Sequence, residues 1–162
     1  MKKVLVIAAL ILTGYGVNAQ EGFFAKAGLS NVSVKVDLGD FGSASDSEIG
    51  FLVGVGYNFE VSDTFQVEPS VLFSAVSELN SLYVPVMAKY MATDALSIQA
   101  GPQVNYLLED LPEGEFGLDL AFGAGYNITD ALFVDARYAF EVSRGIEGLS
   151  LNTLHVGVGY RF

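Results

Sequence analysis

The sequence contains a few side chains of the types that perform acid–base and nucleophilic chemistry. Asp135, Arg137 and Glu141 lie close together in the chain, and two neighbouring carboxyl groups can act as a general acid and a general base. His155 could form a triad with an acid and a serine. Neither set comes with a motif that places a nucleophile or a substrate cleft, and a lone histidine is more often a hydrogen-bonded core residue. The sequence therefore predicts no catalytic residues, no cofactor and no enzyme activity.

Metal binding has one weak candidate, the acidic segment over residues 37–48. It has an acid at the first and last positions of an EF-hand register and Gly42 at the sixth. Gly39 and Phe41 occupy the third and fifth positions, where they supply no side-chain ligand, and the flanking segments are predicted to be strands. We expect a solvated anionic loop rather than a calcium site. The candidate ligands are Asp37, Asp40, Asp46 and Glu48.

The composition excludes several other kinds of site. The chain has no cysteine and one histidine, so thiolate sites and multi-histidine sites cannot form within one chain. The formal net charge of −11 makes it a poor nucleic-acid binder, because phosphate contacts need clustered lysine and arginine. Hydrophobic residues make up 51% of the chain, yet no segment after the first 20 residues has the ~18 consecutive apolar residues of a membrane helix.

The elements that must position these side chains are predicted to be β-strands. Over residues 154–162, apolar side chains alternate strictly with small or polar ones, which is the period of a strand. The strand end Gly-Val-Gly-Tyr occurs at Tyr57 and Tyr160, with the variant Gly-Ala-Gly-Tyr at Tyr126 and a degenerate copy at Tyr90, so the tyrosines recur at intervals of 33 to 36 residues. A helical repeat of similar length is disfavoured because the segments lack a 3.6-residue period. Four units of two strands predict eight strands in all.

The alternation predicts strands over residues 22–34, 48–59, 64–76, 82–90, 96–106, 116–127, 134–142 and 154–162. Longer loops are expected over residues 35–47, 77–81, 109–115 and 143–150, with short turns between the other strands. On each strand, one face is mainly apolar and the other carries glycine, asparagine and charged residues. We expect the second face to enclose an ion-pair and hydrogen-bond network of Lys26, Glu68, Lys89, Asp119, Asp135, Arg137, Glu141 and Arg161.

The N-terminus has the features of a secretory signal peptide. A basic start at Lys2 and Lys3 precedes an apolar run over residues 4–12, and Val17 and Ala19 supply small residues before a cleavage site. We therefore expect a signal peptide over residues 1–19, cleaved after Ala19, and one barrel domain over residues 20–162. A retained N-terminal anchor is the alternative.

The strand pattern, the predicted leader and the terminal Tyr160-Arg161-Phe162 together resemble the small outer-membrane β-barrels of Gram-negative bacteria, the OmpA/OmpX-like group. The resemblance covers residues 22–162. It implies an all-β fold, a transmembrane eight-stranded antiparallel up-and-down β-barrel, with short periplasmic turns and longer external loops. It also implies that Phe162 belongs to the signal read by the outer-membrane insertion machinery. Membrane lipids and lipopolysaccharide are then the expected partners of a monomer in the outer membrane.

Three functions remain open at this point. The favoured one is a structural or surface-interaction role, with a narrow porin-like pathway as an option if the lumen is not sealed. A soluble secreted or periplasmic barrel that binds an apolar ligand, as lipocalins do, would need the apolar face inside rather than outside. An outer-membrane barrel enzyme is the third, although no motif allows catalytic residues to be carried over from such enzymes.

Overall fold

The computed structural model describes residues 22–37, 42–77, 79–109, 114–144 and 149–162. The predicted signal peptide with Ala19, and the loop acid Asp40, lie outside these ranges. Within them, no helix is long and apolar enough to cross a membrane.

The described residues form nine β-strands that build one closed barrel. Their bounds are β1 Phe23–Asp37, β2 Ser43–Tyr57, β3 Phe59–Ser62, β4 Phe65–Ala75, β5 Ser81–Met91, β6 Leu96–Leu107, β7 Phe116–Asn127, β8 Leu132–Ser143 and β9 Leu149–Arg161. Every neighbouring pair is antiparallel, and pairing of β2 with β4 closes the ring. The short β3 continues β2 beyond Asn58 and pairs with the same neighbour. The barrel therefore has eight strand positions, which confirms the predicted fold.

Side chains alternate between the lipid-facing wall and the lumen, as the sequence predicts. On β2, Phe51 is 73% exposed, whereas the next residue, Leu52, is completely buried. On β9, Val156 and Val158 face outward, as does Leu154, whereas His155 is buried in the lumen. An apolar exterior on a closed barrel is stable only in lipid, because water would solvate it poorly. Only every second residue of each strand needs to be apolar, since the others face the lumen.

The two ends of the barrel differ in the length of their connections. At the short-turn end, the Thr93 hydroxyl accepts a hydrogen bond from the Leu96 N–H at 2.9 Å, and Thr129 does the same for Leu132. In both turns the threonine side chain thus caps the backbone of the residue that begins the next strand. The Phe162 N–H donates to the Phe23 carbonyl at 2.9 Å, so β9 ends at this same end. The opposite end is called the long-loop end below.

Three strands continue past the closed ring at the long-loop end. The β2–β4 ladder starts at Phe51↔Ala75 and the β8–β9 ladder stops at Ala139↔Thr153, yet β1 pairs with both β2 and β9 well beyond these points. We call the resulting sheet the three-strand extension; it comprises residues 32–37 of β1, 43–49 of β2 and 149–152 of β9.

The predicted loop over residues 35–47 is therefore wrong at both ends. Asp37 ends β1, and both Asp46 and Glu48 lie within β2, where Asp46 pairs with Val34. The serine and aspartate content resembled a loop, but a strand above the membrane needs no lipid-facing apolar residues. Similarly, β9 begins at Leu149, inside the predicted loop over residues 143–150.

Gly28 and Gly157 face each other across β1 and β9 and provide a matched pair of substitutions. A Cβ on Gly28 would lie 2.1 Å from the Val156 carbonyl oxygen, and moving that backbone would disturb the ladder. A Cβ on Gly157 would mainly meet the flexible stem of Lys26, 2.9 Å from Cε. We expect Gly28→Ala to lower the free energy of unfolding by about 1–3 kcal/mol, as overpacking does, and Gly157→Ala clearly less. Urea titration in lipid vesicles measures both, and equal losses would contradict this register.

Candidate functional site

Five charged side chains meet in the middle of the lumen. The Lys26 ammonium lies 2.7 Å from the Asp135 carboxylate, and the Lys89 ammonium lies 2.8 Å from Glu68. The Arg137 guanidinium joins the two pairs, because its Nη2 lies 2.8 Å from Asp135 and also contacts Glu68. All five side chains are buried. We call this group the central cluster; it contains three cations and two anions.

The Arg137–Glu68 contact spans the lumen. Arg137 lies on β8 and Glu68 on β4, and these strands occupy opposite positions in the closed ring of eight. The strand alternation explains why both side chains point inward, since each follows an outward-facing apolar or small residue. This ion pair therefore crosses the lumen from one wall to the opposite wall, which fits the expectation that an eight-strand barrel is filled by its own side chains.

A second polar group lies nearer the long-loop end. Asp119 accepts hydrogen bonds from the Gln103 and Asn105 amides, at 2.8 and 2.6 Å. Arg144 contacts the carboxylate of Glu141 and donates to the Gly114 carbonyl at 2.6 Å. Glu141 and Asp119 are cross-strand neighbours on β8 and β7.

Arg144 is not among the site residues predicted from the sequence. It follows the last residue of β8, in a segment predicted to be a loop, and nevertheless only 4% of it is exposed. The period-two pattern cannot find a side chain that folds back into the lumen from beyond a strand end. The one available signal is Glu141, three residues earlier, which needs a cation if it is enclosed.

Arg161 belongs to neither group. It lies at the short-turn end, donates to the Asn127 side chain at 2.8 Å and to the Asp130 carbonyl at 3.1 Å, and lies over the Phe133 ring at 4.5 Å. Phe133 in turn packs edge-on against Phe24 at 5.5 Å. The eight charged residues predicted to share one network are thus placed in three groups along the barrel axis.

The lumen also has apolar layers that sequence analysis did not anticipate. Toward the long-loop end, four buried side chains from four different segments pack together: Val32, Val76, Leu107 and Leu151, with Val34 and Leu79 against them. Phe24 and Phe133 occupy the other end. Several buried side-chain polar atoms in the lumen have no hydrogen-bond partner among the described residues; they belong to Ser30, Asn58, Ser70, Ser74, Gln99, Asp135, Arg137, Thr153 and His155. Such atoms usually bond to buried water.

The structure does not assemble the catalytic candidates into an acid–base site. Asp135 and Arg137 are engaged in the central cluster, whereas Glu141 lies in the second polar group. His155 packs edge-on against the Tyr83 ring at 4.8 Å, and its Nε2 has no hydrogen-bond partner in the described part of the chain. These geometries supply no serine–histidine–acid chain.

Two of the four metal candidates have described side chains, whereas Asp40 lies outside the described residues. Asp46 and Glu48 lie on the exposed part of β2, and Asp46 Oδ1 accepts the Ser47 N–H at 2.9 Å. Asp37 is described only as the last residue of β1. Among the described residues, no group of three acidic, histidine or cysteine side chains could hold a metal ion.

Aromatic side chains line the outside of the short-turn end. Phe23 packs edge-on against Tyr57 at 4.8 Å, and Tyr160 packs against Phe162 at 5.5 Å. Their common level on the outer wall is typical of the aromatic girdle at a lipid–water interface. The role of Phe162 as an assembly signal stays a prediction.

The sequence matches the family described as "Outer membrane protein beta-barrel domain" over residues 4–162. The chain belongs to this family. It is accordingly an outer-membrane protein of a Gram-negative bacterium, and the soluble lipocalin-like alternative is wrong because its apolar wall would face water. No functionally curated protein matches the sequence.

Solved structures show the same fold. The attachment invasion locus protein Ail of Yersinia pestis is 20% identical with a TM-score of 0.56, over 88% of this chain and 100% of Ail. Neisserial surface protein A is 16% identical with a TM-score of 0.53, over 87% of this chain and 97% of the other. A de novo designed transmembrane β-barrel is 14% identical with a TM-score of 0.56, over 90% and 100%.

The central cluster depends on Glu68, which bonds to both Lys89 and Arg137. Glu68→Gln removes the negative charge while keeping the shape, so Lys89 loses its counter-ion and Arg137 keeps only Asp135. We expect it to lower the free energy of unfolding by about 3–5 kcal/mol. Glu60→Gln, on the exposed β3, is the matched control and is expected to change it by less than about 0.5 kcal/mol. Similar stabilities of the two variants in urea titrations would mean that the cluster does not stabilise the barrel.

Proposed function

We propose that this outer-membrane barrel has a closed lumen and serves surface interaction through the three-strand extension, with its long-loop end facing the cell exterior. The observation that carries the proposal is the continuation of β1, β2 and β9 past the closed ring. A scaffold that only anchored itself in lipid would need no paired strands beyond the membrane. In outer-membrane barrels the longer connections are external and the short turns are periplasmic.

Side chains at three levels along the barrel axis support a closed lumen. The apolar layer of Val76, Leu107 and their neighbours covers the long-loop side, the central cluster crosses the middle, and Phe24 and Phe133 fill the short-turn side. We assign no catalytic role to the buried carboxylates, because each is held by a cation or by amides. The membrane lipids, lipopolysaccharide and the insertion machinery are the partners of a monomeric barrel under this proposal.

One of the proteins with a similar structure has a name that indicates a role at the cell surface. Ail is called an attachment invasion locus protein, and one of its structures contains the heparin analogue sucrose octasulfate. This chain carries a formal net charge of −11, and its extension displays Asp46 and Glu48. Like charges repel, so a sulfated glycan is a poor partner for this extension and a cationic partner is favoured.

A narrow porin-like pathway is the second candidate. Its support is the set of buried polar atoms in the lumen that have no partner among the described residues, since these could line a file of water molecules. The apolar layer opposes it, because a hydrophobic constriction resists wetting.

Surface labelling tests the orientation. The chain lacks cysteine, so single cysteines can be introduced without background. Ser45→Cys, on the exposed part of β2, is expected to react with a membrane-impermeant maleimide on intact cells. Ser62→Cys, on β3 at the short-turn end, is the matched control and is expected to react only after the outer membrane is permeabilised. Labelling of Ser62→Cys alone on intact cells would reverse the orientation and refute the proposal.

Planar-bilayer recordings test the closed lumen. The unmodified barrel is expected to give no sustained current, since ions cannot pass the apolar layer. Val76→Ser combined with Leu107→Ser makes that layer polar and is expected to introduce step-like currents. Leu118→Ser, on the lipid-facing wall, is the control that leaves the lumen unchanged. Sustained currents from the unmodified protein would favour the porin-like pathway.

A further inference from the structure

The central cluster carries one more positive charge than its carboxylates balance. Its cations are Lys26, Lys89 and Arg137, and its anions are Glu68 and Asp135. Each of the five residues is at most 5% exposed. A charge held away from water is costly unless a counter-ion lies close to it. The cluster therefore needs one more negative charge, unless one lysine gives up its proton.

The other charged groups described in the lumen do not supply that counter-ion. The second polar group has two carboxylates and one arginine, and so has a surplus negative charge. However, its Asp119 lies four residues along β7 from Gly123, the residue paired with Arg137. Four residues of a strand span about 13 Å. Coulomb attraction falls inversely with distance, so this charge replaces a contacting counter-ion poorly. On the opposite side, Arg161 adds a further cation above the Phe133 ring.

The Arg137 guanidinium has hydrogen-bond donors that its carboxylate partners leave free. Its Nη2 contacts both Asp135 and Glu68. Its Nε and Nη1 are buried and have no hydrogen-bond partner among the described residues. A guanidinium nitrogen donates and never accepts, so these N–H groups can bond only to an acceptor such as water or an anion. Of these two, the anion alone also supplies the missing negative charge.

Three further polar side chains beside Arg137 also have atoms without a partner. Arg137 on β8 pairs with His155 on β9, which pairs with Ser30 on β1, and all three residues are buried. Directly paired side chains have Cβ atoms about 4.5–5.5 Å apart. Among the described residues, His155 Nε2, Ser30 Oγ and Thr153 Oγ1 lack hydrogen-bond partners, and Thr153 shares the inward face of β9 with His155. We call Ser30, Arg137, Thr153 and His155 the lumen patch.

The lumen patch suits a small monovalent anion. Its hydroxyl, imidazole and guanidinium groups can all donate hydrogen bonds, and none of its four side chains is acidic. A metal cation would be repelled by Arg137 and Lys26. An eight-strand barrel has a narrow lumen, and here the apolar layer and the contact of Phe24 with Phe133 lie toward its two ends. A large organic anion would not fit, and a divalent one would exceed the surplus charge.

We propose that one monovalent anion of the size of chloride binds inside the lumen at the lumen patch, beside Arg137, and balances the third cation of the central cluster. The anion accepts hydrogen bonds from the N–H groups of Arg137 that the carboxylates leave free. Because the site exists only in the closed barrel, binding stabilises the folded state in proportion to anion concentration and affinity. The site is independent of the surface role and of which end of the barrel faces the cell exterior.

Unfolding in different sodium salts tests the inference. The barrel is folded in vesicles of zwitterionic phosphatidylcholine and titrated with urea, in sodium chloride or in sodium gluconate of the same concentration. Both salts screen charges equally, but gluconate is too large for the lumen. We expect a higher urea midpoint in chloride, and a midpoint that rises further as chloride replaces gluconate, because the anion binds only the folded barrel.

A matched pair of variants on β1 assigns the effect to the surplus charge. Lys26→Met keeps an unbranched side chain but removes one cation, so Arg137 and Lys89 then balance the two carboxylates. We expect this variant to lose the midpoint shift between chloride and gluconate. Lys35→Met makes the same change on the exposed part of β1 and is expected to keep the shift. Heat-modifiable gel mobility checks that each variant forms the barrel.

Bromide locates the anion without any substitution. Bromide has the charge of chloride and a similar size, and it scatters X-rays anomalously. Crystals of the unmodified barrel, folded and grown in sodium bromide, are expected to show an anomalous peak in the lumen within hydrogen-bonding reach of an Arg137 nitrogen. This measurement decides the question if Lys26→Met does not form the barrel.

Three results would overturn the site. Equal urea midpoints of the unmodified barrel in chloride and gluconate would mean that no anion stabilises the fold, and that a neutral lysine balances the central cluster. A shift that persists in Lys26→Met would mean that chloride acts elsewhere than on the surplus charge. Bromide peaks confined to the outside of the barrel would show an adventitious ion only.

Discussion

The backbone N–H and C=O groups of a chain in a lipid bilayer have no water to bond with, so each needs a partner inside the protein. In a β-sheet this requirement is met only if the two edge strands pair with each other. Pairing of β2 with β4 performs that closure here, over Phe51↔Ala75 to Gly56↔Ser70. This one ladder turns the two faces of the sheet into an outer wall and an enclosed lumen.

Closure with eight strands makes the lumen narrow, and its contents must satisfy one another. Arg137 reaches across to Glu68 and also contacts Asp135, and lysines complete both pairs. Breaking a buried pair is costly because the remaining charge stays desolvated. The apolar layer around Leu107 and the aromatic contact of Phe24 with Phe133 separate this polar centre from both openings.

Beyond the membrane the constraint no longer applies, and the sheet is allowed an open edge. Water can bond to the backbone N–H and C=O groups of residues 43–49 that point away from β1, so β2 can continue without β4 as its neighbour. The β9 edge differs because Glu141 bonds to the Leu151 N–H. Among the described residues the extension is therefore asymmetric, because side chains bond to its β9 edge and no strand pairs with residues 43–49 of β2 on the side away from β1.

The period-two pattern by itself predicted the strands, their two faces and the inward position of Lys26, Glu68, Asp135 and Arg137, because alternation is a local property of a strand. The recurrence of the strand end predicted that there are eight strands, and the resemblance to outer-membrane barrels implied that they close into a ring. Only the tertiary structure decided which charges meet. Strands β4 and β8 lie far apart in sequence, and their opposition follows from closure of the ring. Arg144 and the extension were missed for a related reason: a side chain folding back past a strand end, and a polar hairpin outside lipid, leave no apolar period in the sequence.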